Sequence, residues 1–444
     1  MCLRLHNNHK STGLRPARFI IDRRPCLCYN GFISKSEVVR TKRLFIFLLS
    51  LVLLLGSCAS PETAETSEDA FNNAANPQLS ALLFAEGGGL LLGKSPYPSC
   101  RFLHYYEESG GADGVLCFKP ECSHSDYSCS AYLYNTNLLG VYNGRIYWVG
   151  VDPLYGQRPG VSGELWLWSM ALDSSDRRQV KSASFLADKA VHRAYYYKGD
   201  LYVYCFDNEV AAGYPRNFAR VYRTGLDDSE DDWTLICEKN VGTYSKLDNN
   251  FIYGNKLYIG AKTSFGGGRY GVKLFSCDLE SGVINELLSR EDLERSVFGF
   301  TVDEAERFGT VEVQAGSCTQ IWGIEGGEYR LLYDFSDEAD DGYDLAYCGA
   351  GVVYSLSSRR GGAGDYDIWI RDLDGATLYK GPLSMSFRAE LPEPHSFRGY
   401  VPISGDRNVL YITTNEKLGD ETRHYFLRYE ITPEGLTETV LWTD

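Results

Sequence analysis

The sequence predicts an all-β chain folded as a seven-bladed β-propeller. A plan of short strand, Gly- or Asn-rich hinge, apolar-aromatic strand and third strand recurs seven times after Ser80. Its third-strand anchors fall at 116, 166, 221, 274, 321, 368 and 427, a period of about fifty residues that suits one four-stranded blade. Aromatic residues make up 14% of the chain, as expected where sheets pack face to face and need large flat side chains between them.

Ahead of the repeats, basic Arg40-Thr41-Lys42-Arg43 precedes an apolar run, 44–55, that ends in Leu55-Gly56-Ser57-Cys58. The run is short for a membrane span and closes on small residues, as a cleaved signal peptide does, so 40–57 is expected to be removed. Leu55-Gly56-Ser57-Cys58 resembles the bacterial lipobox. That resemblance implies a diacylglyceryl lipid on Cys58 and a chain anchored to the cell membrane on its extracytoplasmic face. Residues 1–39 are too long for a signal n-region and are expected to be a misassigned start, with initiation at Val38 or Val39. The stretch 58–77 is rich in Ala, Ser, Thr, Glu and Asn, too polar to bury a core, and reads as a disordered tether before a propeller spanning 78–444.

Residues 1–57 hold ten of the 44 Lys/Arg and two of the 59 Asp/Glu, so their loss leaves 34 basic against 57 acidic side chains and a formal charge of −23. Such an excess repels phosphate backbones, which argues against nucleic acid as a partner.

Within the repeats, hinge and second strand read Asn143-Gly144-Arg145-Ile146-Tyr147-Trp148, Lys198-Gly199-Asp200-Leu201-Tyr202-Val203, Gly254-Asn255-Lys256-Leu257-Tyr258-Ile259, Gly351-Val352-Val353-Tyr354 and Asn408-Val409-Leu410-Tyr411-Ile412. Weaker copies stand at Gly89-Leu90-Leu91-Leu92 and Thr310-Val311-Glu312-Val313. Third strands such as Leu165-Trp166-Leu167-Trp168 and Ile368-Trp369-Ile370 lead into acidic turns, Leu172-Asp173, Leu226-Asp227, Leu279-Glu280 and Leu373-Asp374. Alternating β-branched or aromatic residues broken by Gly, Asn and Asp are the strand-and-hairpin signal. The chain ends on an outer strand, so the ring is expected to close by packing of the last blade on the first, without a shared strand.

Where the first unit should turn after its third strand it reads Cys117-Phe118-Lys119-Pro120-Glu121-Cys122-Ser123-His124-Ser125-Asp126-Tyr127-Ser128-Cys129. Cys117, Cys122, His124 and Cys129 form a Cys3His set that zinc accepts once the thiols ionise, making a structural zinc the expected cofactor. A disulfide staple, with Cys100 as an extra partner, and free thiols are the alternatives. Nine cysteines follow Cys58, an odd number, and Cys205, Cys237, Cys277, Cys318 and Cys348 stand singly in strands, where cysteine acts as a small buried hydrophobe.

Cys117, Pro120, Cys122, His124 and Cys129 behind a lipobox resemble a group of β-propeller lipoproteins of Gram-positive anaerobes, gut Clostridia above all. The resemblance extends loosely through the Gly-x-Leu-Tyr hinges, and implies surface display and a propeller without an activity. The repeats are also loosely similar to low-density-lipoprotein-receptor-type propellers, whose Tyr-Trp-Thr-Asp signature is absent here.

Other signals read as structure. Gly88-Gly89-Leu90-Leu91-Leu92-Gly93-Lys94-Ser95 satisfies a P-loop pattern, but Pro96 and Pro98 follow where a helix should receive phosphates. The acidic runs 227–232 and 334–344 lack EF-hand spacing, and His104, His192, His395 and His424 are scattered. The expected function is that of a surface-anchored binding or scaffold module for an extracellular ligand, glycan or protein partner. Its recognition surface is expected at the acidic, Tyr-rich channel mouth. The tyrosines of 195–197 and 343–347 are candidates for stacking on sugars or peptides, with most of these aromatics expected to be blade filler. A propeller enzyme acting on extracellular carbohydrate, glycoside hydrolase or lyase, and a metal or redox protein built on Cys117 to Cys129 are the alternatives.

Overall fold

The computed structural model describes residues 82–443, apart from 86–87, 93–99, 108–111, 157, 212–213, 228–232, 304, 315–316, 326–327, 335–342, 359–365 and 392–394, and upstream only 4–6 and 18–20. The signal 40–57, Cys58, the tether 58–77 and most of both acidic runs lie outside the described residues. Among those residues no helix is long and apolar enough to cross a membrane. The two upstream strands, Arg4–His6 and Arg18–Ile20, pair antiparallel with each other.

Seven antiparallel sheets follow, each built from strands consecutive in sequence, which is the meander of a propeller blade. Blade 1 comprises Leu82–Ala85, Gly88–Leu92, Cys100–Glu107 and Ala112–Val115, with Tyr132–Tyr134 added beside Cys100–Glu107. Blade 2 runs from Asn137–Tyr142 to Arg178–Ser182, and blade 3 from Val191–Tyr197 to Thr234–Gly242. Blade 4 runs from Ser245–Tyr253 to Ile284–Leu293, and blade 5 from Ser296–Val302 to Glu328–Asp334. Blade 6 extends from Tyr343–Gly349 to Thr377–Leu383 and blade 7 from His395–Gly405 to Gly435–Thr443. No described sheet mixes strands from the two ends of the chain, in line with closure without a shared strand.

The first anchor is misplaced in the sequence reading. The third strand of blade 1 is Cys100–Glu107, and Leu116 follows the fourth strand, Ala112–Val115. The cysteine segment is therefore an insertion between that strand and Tyr132–Tyr134, not a third-strand turn. Gly88–Leu92 is a strand, which removes the phosphate-loop reading.

The hinges have a backbone reason. Tyr142 pairs with Arg145 across Asn143 (φ 48°) and Gly144 (φ 67°), and Tyr197 with Asp200 across Lys198 (φ 49°) and Gly199 (φ 83°). Two successive positive φ angles make a type I′ turn, whose twist matches the flanking strands. The acidic turns are carboxylate caps. Asp278 Oδ1 accepts from the backbone N–H of Glu280 and Ser281 at 3.1 and 2.7 Å, and Asp372 Oδ1 from those of Asp374 and Ala376 at 3.0 and 2.9 Å.

The apolar clusters lie between blades. Tyr142, Val149 and Leu167 of blade 2 share one with Leu201, Val203 and Cys205 of blade 3, and Leu356 and Ile370 of blade 6 share another with Ile412 and Leu427 of blade 7. Tyrosines tie these faces together with polar ends. Tyr196 Oη donates to the Leu138 carbonyl of blade 2 at 2.6 Å, Tyr253 Oη to Val302 of blade 5 at 2.8 Å and Tyr354 Oη to Asp406 of blade 7 at 2.9 Å. Tyr195, Tyr196 and Tyr197 are all buried, so this stretch is interblade packing, as expected of most of these aromatics, and is not available for stacking on a ligand. Tyr343 has no described side chain, and Tyr347 is half-buried.

Candidate metal centre

The insertion from Leu116 to Ala131 contains no strand or helix and is shaped by short local bonds. Cys122 N donates to the Lys119 carbonyl at 3.3 Å and Cys129 N to the Asp126 carbonyl at 3.1 Å. Ser128 N donates to Asp126 Oδ1 at 2.8 Å, and Lys119 Nζ donates to the Ser128 carbonyl across the loop. The Ser128 hydroxyl and backbone N–H together hold the Asp126 carboxyl below its usual range. His124 occupies the left-handed region (φ 53°), a reversal immediately after Cys122-Ser123.

This path brings all four expected ligands together. One donor atom from each of Cys117, Cys122, His124 and Cys129 lies within 4.8 Å of every other. A tetrahedral site with Zn–S bonds near 2.3 Å has donor-to-donor edges of about 3.8 Å, so a small contraction of the set suffices. His124 Nδ1 already lies 3.5 Å from Cys129 Sγ, which assigns Nδ1 as the facing nitrogen. Cys117 and Cys129 are buried, Cys122 and His124 half-buried, and all three thiols are free.

The local field favours a thiolate. The Cys129 thiol donates to Cys117, and Ser130 Oγ adds a second bond to Cys117 Sγ at 3.2 Å; these hold the Cys117 thiol down at about 4 against the cost of burial. The same contact, with burial, pushes the Cys129 thiol up. Ionisation is thus favoured at Cys117 over Cys129, and a divalent cation would release the thiol protons that remain. Three thiolates and an imidazole are a soft set that suits zinc, and four protein donors leave no open coordination position.

Blade 2 supplies the supporting contacts. Ser174, buried in the turn after Leu165–Ala171 and itself left-handed (φ 61°), accepts from Phe118 N at 2.9 Å and pairs with Ser130 Oγ at 3.1 Å. Arg177 Nη1 donates to the carbonyls of Ser130 and Tyr132 at 3.2 and 2.7 Å, on either side of Ala131. Its guanidinium carbon lies 5.1 Å from the Trp148 ring centroid and 5.2 Å from that of Trp168, two rings stacked 6.0 Å apart at 5°. Burial pushes Arg177 down to about 10, opposed by Asp152 and Cys129, so it stays charged at neutral pH. Neither Ser174 nor Arg177 was legible as part of the site, because both are remote in sequence and sit in an ordinary blade turn.

The remaining candidates fall elsewhere. His192 Nδ1 lies 2.8 Å from Lys246 Nζ between the first strands of blades 3 and 4. Cys205, Cys237 and Cys277 are buried, each alone in its own strand as expected, and the sulfurs of Cys237 and Cys277 lie 2.6 Å apart across two sheets.

No family model matches the chain, and no curated protein matches it. Among solved structures it is similar to the acylaminoacyl peptidase of Pyrococcus horikoshii, with 11% identity, 85% of this chain and 54% of that one covered, and a TM-score of 0.44. It is similar to the β-propeller domain of the Trilobed protease from Pyrococcus furiosus, with 12% identity, 83% and 98% covered, and a TM-score of 0.45. A third likeness is to a putative exo-β-1,3-galactanase from Bifidobacterium bifidum, with 12% identity, 58% and 92% covered, and a TM-score of 0.30. The chain thus spans about half the length of the acylaminoacyl peptidases it matches.

Proposed function

We propose that this chain is a lipid-anchored, extracytoplasmic binding module whose first blade carries a loop ordered by a structural zinc ion. The convergence of Cys117, Cys122, His124 and Cys129 to within 4.8 Å carries the reading. A loop of sixteen residues without strand or helix has little apolar surface to fix it, and a four-donor metal replaces the missing core. The ordered loop presents Phe118 and Tyr127, 46% and 42% exposed, to solvent. Exposed aromatics on a rigid element supply contact area at low entropic cost, which suits recognition of a glycan or protein surface. The lipid on Cys58 and the membrane location belong to the same reading and rest on the lipobox residues.

The test is elemental analysis with thiol titration of the chain purified without oxygen, for wild type and Cys122→Ser. About one zinc per chain, lost in the variant, is the expected result. A metal-free chain whose Cys117, Cys122 and Cys129 become titratable only after reduction would replace the metal by a disulfide staple.

A further inference from the structure

We infer that Cys237 and Cys277 form a disulfide that links blade 3 to blade 4. Cys237 lies on the outermost strand of blade 3, Thr234–Gly242, and Cys277 on the third strand of blade 4, Arg269–Asp278. Both are free thiols in this structure, yet their sulfurs are 2.6 Å apart, far closer than two thiols rest in van der Waals contact, and the residues are 6% and 1% exposed. The strands approach closely here for a separate reason. A Cβ on Gly282, in the turn after Arg269–Asp278, would fall 2.1 Å from the Ile236 carbonyl oxygen, so the backbones already touch beside the pair. The two cysteines share one apolar cluster with Val221, Phe275 and Leu279, which keeps water and small reductants from the sulfurs.

The chemistry is thiol–disulfide exchange. The thiolate of one cysteine attacks a sulfur of an oxidant disulfide, a small-molecule or protein one, breaking that S–S bond and forming a mixed disulfide. The second thiolate attacks the mixed disulfide and closes the Cys237–Cys277 bond. The chain gives up two protons and two electrons, and the oxidant leaves as two thiols. Because the site is buried once folded, the exchange belongs to folding, and the finished bond is shielded in the native ring. Such a bond is independent of the metal cluster, none of whose ligands takes part.

The bond is read directly on the full chain folded with a mixture of oxidised and reduced glutathione, alkylated in denaturant without reductant, and digested with trypsin. Cleavage gives peptides 224–239 and 274–290, each with a single cysteine. A covalently joined pair that separates on reduction is the expected outcome; recovery of both peptides fully alkylated would overturn the inference. In Cys277→Ala, read in denaturant whether or not the variant folds, the 224–239 peptide is expected alkylated. Its recovery joined to another cysteine peptide would equally overturn the pairing.

Discussion

Replacing Arg177 by Met is the most informative perturbation of the metal loop, because the guanidinium does two separable things. It donates to the Ser130 and Tyr132 carbonyls, and it carries a buried positive charge on which Asp152 and Cys129 act. Each carbonyl left without a donor in a dry site costs about 1–3 kcal/mol, and loss of the contacts to Trp148 and Trp168 costs about 1 kcal/mol more. Removing a buried cation returns part of this, since its own desolvation cost disappears. The net loss in the metal-free chain is therefore expected at about 1–2 kcal/mol. With zinc bound the cluster of three thiolates and one neutral imidazole carries a single negative charge, and the variant lacks its counter-charge. Supporting contacts of this kind are worth about 10–100-fold in metal affinity. Competition against a chromophoric chelator measures the affinity, and urea unfolding with and without zinc measures the stability. Affinity within twofold of wild type, with equal stability losses in both states, would refute the electrostatic role and leave Arg177 as packing.

Three further substitutions test the interblade packing. Tyr354→Phe strands the Asp406 carbonyl and is expected to cost about 1–2 kcal/mol in urea unfolding, whereas Tyr195→Phe, whose buried hydroxyl has no described partner, is expected to be neutral or stabilising; equal effects would sink the contrast. Gly140→Ala places a Cβ 1.9 Å from Tyr196 Cε2 and should displace that ring from the Leu138 carbonyl, at a cost of about 2–4 kcal/mol; a loss below about 0.5 kcal/mol would show that the ring moves freely.

The blade plan was legible because its signals are local. Asn143-Gly144 and Lys198-Gly199 specify their turns by φ alone, and the Asp278 and Asp372 carboxylates cap their own turns within four residues. The four ligands were legible for the same reason, since C-x4-C-x-H-x4-C is contiguous. What escaped was relational. The placement of blade 1 slipped because its fourth strand, Ala112–Val115, is only four residues long and gives no anchor distinct from the third. Ser174 and Arg177 reach the loop from 44 and 47 positions past Ser130, through the packing of blade 2 on blade 1. The Cys237–Cys277 contact depends on how two sheets abut, which no periodicity within either sheet encodes. The tyrosines at 195–197 look like a sugar-stacking strip until the neighbouring sheet covers them.

Among the described residues the apolar clusters are shared between adjacent sheets, so no blade shows a hydrophobic interior of its own there. Val352, Tyr354 and Leu356 of blade 6 are buried together with Leu410, Ile412 and Leu427 of blade 7. A fragment of this chain therefore behaves like a stack from which a leaf has been torn. Its stability falls by one shared seam for each blade removed, and the newly bared face is a flat, aromatic, aggregation-prone wall. Truncation between blades, ordinarily the gentle place to divide a repeat protein, is here the cut that exposes most.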